Sequence, residues 1–317
     1  MTWLSDLSSR LMGRARRGHL AAFGKHPGWD DHLDDIGLDT KALLAAKQYL
    51  YIHGIGGAID AGRWENRPEG EVLTQFKHVF IWTAGSDLLV GRIWSSRDGK
   101  NRTLYPMVLC AHFKNAEFDS VVPLVYEALA QWESECRATS SADDVRRIVR
   151  DGQESIQEFL AVGSLVSDLD PAFTRHFEFA SGTETLPRLA YALDTYLGAF
   201  GPGKVNRREL ALTLALGQTK LVPQHLRLPA NTADTFGTLR YWRQVLNGLV
   251  DEAVPALIVA PDGAPWADLI VGPVTTQHLG CLKLTPLGLP LTSDVPFAIG
   301  QSAFLRSEEI FDGLRAK

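Results

Sequence analysis

His78-Val79-Phe80-Ile81-Trp82, then Leu88-Leu89-Val90-Gly91-Arg92-Ile93-Trp94, then Leu104-Tyr105-Pro106-Met107-Val108-Leu109-Cys110-Ala111-His112-Phe113 is the part of the sequence that decides the fold. β-Branched and aromatic residues fill three segments of strand length. Thr83-Ala84-Gly85-Ser86-Asp87 joins the first two at hairpin length, and the polar run Ser95 to Arg102 leads into the third. Pro106 stands early in that third strand, where a missing backbone donor is tolerated at an edge or a bulge.

On the N-terminal side, Leu20-Ala21-Ala22-Phe23 reads as a buried strand that ends in a turn punctuated by Gly24, Pro27 and Gly28. Residues 40 to 52 carry apolar side chains near a 3.6-residue period and predict a helix, with Asp34 or Asp39 as its cap. Gly54-Ile55-Gly56-Gly57 lacks the preceding strand and the spacing of a dinucleotide fingerprint, so it reads as a flexible or functional loop. Trp3, Leu4, Leu7 and Leu11, followed by Arg14, Arg16 and Arg17, predict a basic amphipathic helix over residues 1–18 that Gly18 ends.

On the C-terminal side, residues 119–137 and 141–162 predict helices, the second opened by a capping signature at Ser141. The reading stays helical to about residue 200. Gly198 to Lys204 fits a phosphate-loop string, but Val205 replaces the magnesium-binding Ser or Thr and a helical pattern precedes it. Residues 210–216 suit a strand or a short helix. A helix over 232–250 with Asn231 as cap, core strands at 255–261 and 280–286, and a last helix over 307–316 complete the chain.

The 317 residues are 45% apolar and 22% charged, a composition that supports a sizeable core. A net charge of -5 with scattered Lys and Arg argues against a nucleic-acid partner. Three distant cysteines, Cys110, Cys136 and Cys281, suit reduced thiols rather than disulfides or a zinc ribbon. No apolar run reaches membrane-spanning length and the start lacks a secretory h-region, so a cytoplasmic protein with no integral membrane segment is expected.

Chemistry is densest in Lys25-His26-Pro27-Gly28-Trp29-Asp30-Asp31-His32-Leu33-Asp34-Asp35. As a structural turn, its carboxylates would satisfy local backbone donors. As a metal site, His26, Asp30, Asp31 and His32 would supply imidazole and carboxylate ligands, with His53 or His112 in reach, and a metal-dependent hydrolase would follow. As a recognition surface, Trp29 and the flanking charge would be read by a partner. Arg97, Lys100 and Arg102 cluster on the connection before the third strand, where they could meet an anion or a carboxylate.

The element order, together with Phe23-Gly24-Lys25-His26-Pro27 and Ser95-Ser96-Arg97-Asp98-Gly99-Lys100-Asn101-Arg102-Thr103-Leu104-Tyr105-Pro106-Met107, resembles the TagF/ImpM family of type VI secretion-associated proteins. Gly28-Trp29-Asp30-Asp31 replaces the family's Gly-Asp-Phe, and Lys100 and Asn101 split its Gly-Arg pair. The likeness spans about residues 20–137 and returns faintly at 255–261 and Gly288-Leu289-Pro290. It divides the chain into the helix 1–18, a TagF-like α/β domain over 19–137, a mainly helical insertion or lobe over 138–230, and a C-terminal segment over 231–317 that completes the sheet.

The resemblance implies a three-layer α/β/α sandwich around a mixed, largely antiparallel sheet. It also implies a non-enzymatic cytoplasmic regulator without cofactor, which represses the secretion apparatus after translation by binding a forkhead-associated-domain component in some systems. Lys25, Pro27, Asp30, Arg102, Tyr105 and Pro106 are the residues it marks, with Trp29, Asp31, Arg97 and Asp98 beside them, in a partner-binding or loop-stabilising role. An Asp30 or Asp31 carboxylate against Arg97 or Arg102 is the expected pair. A third reading makes the chain a subunit of a larger assembly, with exposed apolar surface as its sign.

Overall fold

The computed structural model describes residues 17–116, 118–169, 224–249 and 253–291. The readings for residues 1–16, the helical reading from 170 to about 200, the phosphate-loop string, residues 210–216 and the last helix lie outside them. Strands β1 (Arg17–Gly24), β2 (Lys77–Ala84), β3 (Asp87–Ser95), β4 (Pro106–Lys114), β5 (Gln224–Pro229), β6 (Ala256–Pro261) and β7 (Trp266–Val271) form one sheet in the order β1-β4-β3-β2-β6-β7-β5. Every pairing among them is antiparallel, so the expected mixed sheet is corrected. Its strands meander: Gly85 at φ 59 with Ser86 closes a tight β2–β3 hairpin, since Ala84 pairs with Asp87.

Helices cover both faces. Helix α1 (Lys41–Ala46) runs into a π-helix (Lys47–Gly56) and the short α2 (Gly57–Asp60). Helices α3 (Phe118–Ala138), α4 (Ala142–Leu169) and α5 (Thr235–Leu249) follow, and a 3-10 helix spans His278–Lys283. Strand alternation sorts the core. Leu20, Ala22, Val79, Ile81, Val90 and Leu109 turn toward α3, α4 and α5, where Leu129, Trp132, Val145, Ile156 and Trp242 wait. Ala21, Phe23, Phe80, Leu89, Val108 and Ile270 turn the other way, onto Leu43, Leu50, Tyr51, Ile55, Leu279 and Leu282.

Several local expectations are corrected. Arg17 and Gly18 open β1 instead of ending a helix, and β1 gains there from pairing with Lys114 and Phe113. Thr40 caps α1, its hydroxyl accepting from the Leu43 amide at 3.2 Å. The Gly54–Gly57 stretch continues the helix instead of looping, because Leu50, Tyr51 and Ile55 keep one face buried through it. Asp234, not Asn231, caps α5, accepting from the Gly237 amide at 2.7 Å. The run 280–286 forms no strand, its start lying in the 3-10 helix, and two strands not expected from the sequence, β7 and β5, complete the sheet. Both carry a charge in mid-strand, Asp268 and Arg227, which hides their apolar alternation from a sequence reading.

Candidate functional site

The sheet positions the site through register. Gly24, the last residue of β1, pairs with Met107 near the start of β4, and Ser95, the last of β3, pairs with Pro106. The connection after β1 (25–35) and the connection between β3 and β4 (96–105) therefore leave the same end of the sheet side by side. Gly24, at φ 115, turns the chain there, and the Lys25 amide donates to the Pro106 carbonyl at 3.0 Å.

Asp98 is the hub. Its side chain is shielded from solvent and accepts from Lys25 Nζ at 2.8 Å, Arg102 Nε at 2.7 Å, and the backbone amides of Lys100 and Arg102 at 2.9 and 3.0 Å. Burial alone would raise its pKa; the hydrogen bonds from Lys25, Arg102 and Lys100 overrule this and hold it well below the usual carboxylate range. Lys25, buried despite its charge, also donates to Asp31. Arg102 Nη2 closes the ring, reaching Asp31 Oδ1 at 3.1 Å and the Asp30 carbonyl at 2.8 Å. The hydrogen bond from Lys25 holds the Asp31 carboxyl below its ordinary range although this side chain faces solvent. The Gly99 amide donates to the Trp29 carbonyl at 2.7 Å; a Cβ on Gly99 would stand 3.2 Å from the Pro27 and Trp29 carbonyl oxygens, so the two backbones approach closely there.

Of the expected pairs, Arg102 with Asp31 forms. Arg97 turns instead to Asn101 at 3.0 Å, and the Asp30 carboxylate, in solvent, has Lys100 4.0 Å away. Trp29 does not project freely. Its indole N–H donates to Asp34 at 3.1 Å and the Arg146 guanidinium lies 5.3 Å from its ring, which ties the connection to α4. Pro27 lines a cleft of about 650 Å³ beside the junction, together with Arg97, Thr103 and Arg137. Tyr105 packs edge-on to His32 at 5.2 Å, and Pro106 supplies the first rung of β4.

The metal set is not assembled. His26 is buried with both nitrogens engaged: Nδ1 accepts from the Gly28 amide and Nε2 donates to the Cys136 carbonyl, each at 3.0 Å. Burial lowers its pKa against the pull of the Cys136 and Thr139 carbonyls. His26 thus pins the turn to the α3–α4 junction as a neutral ring. Asp31 already faces two cations, and His53 pairs with Gln48 and His112 with Asp87. Among the described residues, the group whose ligand atoms converge is His225, Asp268 and Cys281. There Arg227 grips both oxygens of Asp268 at 2.8 Å, so the cluster is a buried ion pair with a histidine partner. Burial pushes the thiols up, that of Cys136 to about 12, which leaves them unreactive.

Residue-by-residue reading missed Tyr51, His78, and the pairs Arg92–Glu133 and Arg227–Asp268, all buried. A lone ionisable residue inside an apolar strand, as at Arg92 or Asp268, is the signal that could have found them.

The arrangement defines a mixed α/β protein in which two distant connections are locked into one rigid, charged rim. No family model matches this chain, and no characterised protein matches it at a significant level. No helix among the described residues is long and apolar enough to cross a membrane.

Proposed function

We propose that this chain is a non-enzymatic cytoplasmic regulator that acts by binding a protein, of the TagF/ImpM type, with the described sheet and helices forming the family's three-layer α/β/α sandwich. The observation that carries the reading is the junction itself. Residues singled out by the resemblance meet across the chain, and Lys25 and Asp98, 73 positions apart and buried together, fix the geometry. Buried ionic groups of this kind specify a shape more than they stabilise it. Leu104, on the same connection as solvated Arg97, and Ile52, which shares a cavity with Tyr105, are exposed apolar side chains, and Asp30 is solvated on the other connection. Apolar anchors within a polar surround are the composition of a protein interface. His26, with both nitrogens engaged, and Asp31, facing two cations, count against the hydrolase reading.

The test is binding of the purified chain to the forkhead-associated-domain component of a type VI apparatus from the same organism, measured by calorimetry. Wild-type protein is expected to bind, Asp31→Ala and Arg102→Ala to weaken binding at least about tenfold, worth ~1.4 kcal/mol, and Arg97→Ala to act less. Absence of binding to that component and to every other part of the apparatus would defeat the proposal.

A further inference from the structure

A cavity of about 320 Å³ opens beside the junction, between the π-helix and the connection that bears Tyr105. His32, Tyr51, Ile52, Gly56, Asp60 and Tyr105 line it. Tyr51 is 3% exposed and packs its ring against Phe23, His32 and Tyr105, with centroids 5.7, 5.8 and 5.9 Å away. Its hydroxyl is buried and has no hydrogen-bond partner among the described residues. Burial, then the nearness of Tyr105 and Asp31, pushes its pKa far up, so it is a neutral phenol. A buried hydroxyl left without a partner is costly, and such groups mark places where something else binds. A π-helix is itself uncommon and favours functional sites; this one delivers Tyr51, Ile52 and Gly56 to the same cavity.

Charge decides what fits. Lys47 and Asp35 neutralise each other, and Lys25 is held by Asp31 and Asp98. Asp60 has no ion-pair or hydrogen-bond partner among the described residues, so the cavity keeps one uncompensated carboxylate. Burial, then Lys25, keeps His32 neutral at physiological pH. The polar groups it offers are therefore the Asp60 carboxylate, the Tyr51 and Tyr105 hydroxyls and the neutral His32 ring, set between aromatic faces and the apolar side chain of Ile52.

We infer that this cavity receives the guanidinium of an arginine side chain presented by the docked protein partner. A planar, weakly hydrated cation stacks on an aromatic ring such as Tyr105 and donates in a fork to two acceptors, here the Tyr51 hydroxyl oxygen and the Asp60 carboxylate. A lysine ammonium lacks the plane and holds its water more strongly. The source of the arginine rests on the docking proposal; the guanidinium site itself does not.

The experiment titrates the full chain with N-acetyl-arginine amide, and separately with the lysine, leucine and glutamate equivalents, while following the Gly56 amide by NMR. Saturable binding of the arginine compound alone is expected. Tyr51→Phe should weaken it roughly ten- to a hundredfold, the worth of a hydrogen bond to a charged group, with the melting temperature unchanged or raised. Gly56→Ala is a second variant. A Cβ there finds its nearest neighbours, the Tyr51 carbonyl oxygen and Tyr105, at 3.6 to 3.8 Å, so it fits without strain while taking up space in the cavity beside Tyr105. It should keep the fold and weaken binding. Equal binding of the leucine or lysine compound, wild-type affinity in both variants, or no saturable arginine binding would overturn the inference. Partner capture that survives both variants would sink it and spare the docking proposal. Arginine binding by a chain that captures no partner would overturn the protein source of the guanidinium.

Discussion

Replacing Arg227 by methionine is expected to be the most damaging single change among the described charged residues. The guanidinium is buried, donates twice to Asp268 at 2.8 Å, and also reaches the carbonyls of Leu284, Leu289 and Cys281 at 2.6, 3.0 and 3.0 Å. Arg227→Met would strand a carboxylate that is itself 2% exposed. Breaking a buried pair from one side costs about 3 to 5 kcal/mol, a large share of the roughly 5 to 15 kcal/mol that holds a domain folded. Urea unfolding should show the midpoint fall accordingly, and the melting temperature should drop by roughly 10 °C. The double variant Arg227→Met with Asp268→Leu should recover most of the loss, because neither charge is then buried alone. Burial raises the Asp268 carboxyl, but Arg227 and His225 more than offset this, so its folded pKa lies below the ordinary value. The pair's contribution is therefore full above about pH 4 and lost as pH falls through the folded pKa. A single variant that costs under about 1 kcal/mol, or a double variant as unstable as the single, would refute the reasoning.

Three further outcomes are expected. His78 is buried at the start of β2, and desolvation pushes its pKa from 6.5 down to about 4. The folded state thus binds fewer protons than the unfolded chain across that window, so stability is full above about pH 6.5 and about 3 kcal/mol lower by pH 4; His78→Gln should flatten that part of the unfolding profile, and a slope as steep as wild type would rule His78 out as its source. Lys25→Met should lower the melting temperature and speed amide exchange at Gly99 and Leu33, whose donors close the two connections; unchanged exchange would mean the buried Lys25–Asp98 pair does not hold them. Gly24→Ala, at φ 115 with a Cβ 2.3 Å from the Pro106 carbonyl oxygen, should destabilise by roughly 1 to 3 kcal/mol from backbone strain plus the clash, as read by thermal unfolding, and a neutral result would show that the turn is not built as described.

The amino-acid pattern alone determined the strongly apolar or amphipathic elements: β2, β3 and β4 with their hairpin, the buried end of β1, β6, and helices α3, α4 and α5. It also located the two polar connections, because Gly, Pro, Asp and Arg concentrate there. Periodicity carries no information on which distant strand becomes a neighbour. Only the tertiary structure placed β1 against β4, and that pairing brings Lys25 to Asp98 and Arg102 to Asp31. The same limit hid β5 and β7: Arg227 and Asp268 look like solvent-facing charges until the register sets them side by side in the interior. His26 and Tyr51 make the point from opposite directions. A histidine in an acidic loop suggests a ligand, yet the α3–α4 junction consumes both of its nitrogens. A tyrosine on an apolar helix face suggests plain core, yet burial without a partner leaves its hydroxyl open to one. Local sequence sets what a side chain is able to do, and the surrounding fold decides which of its bonds are already taken.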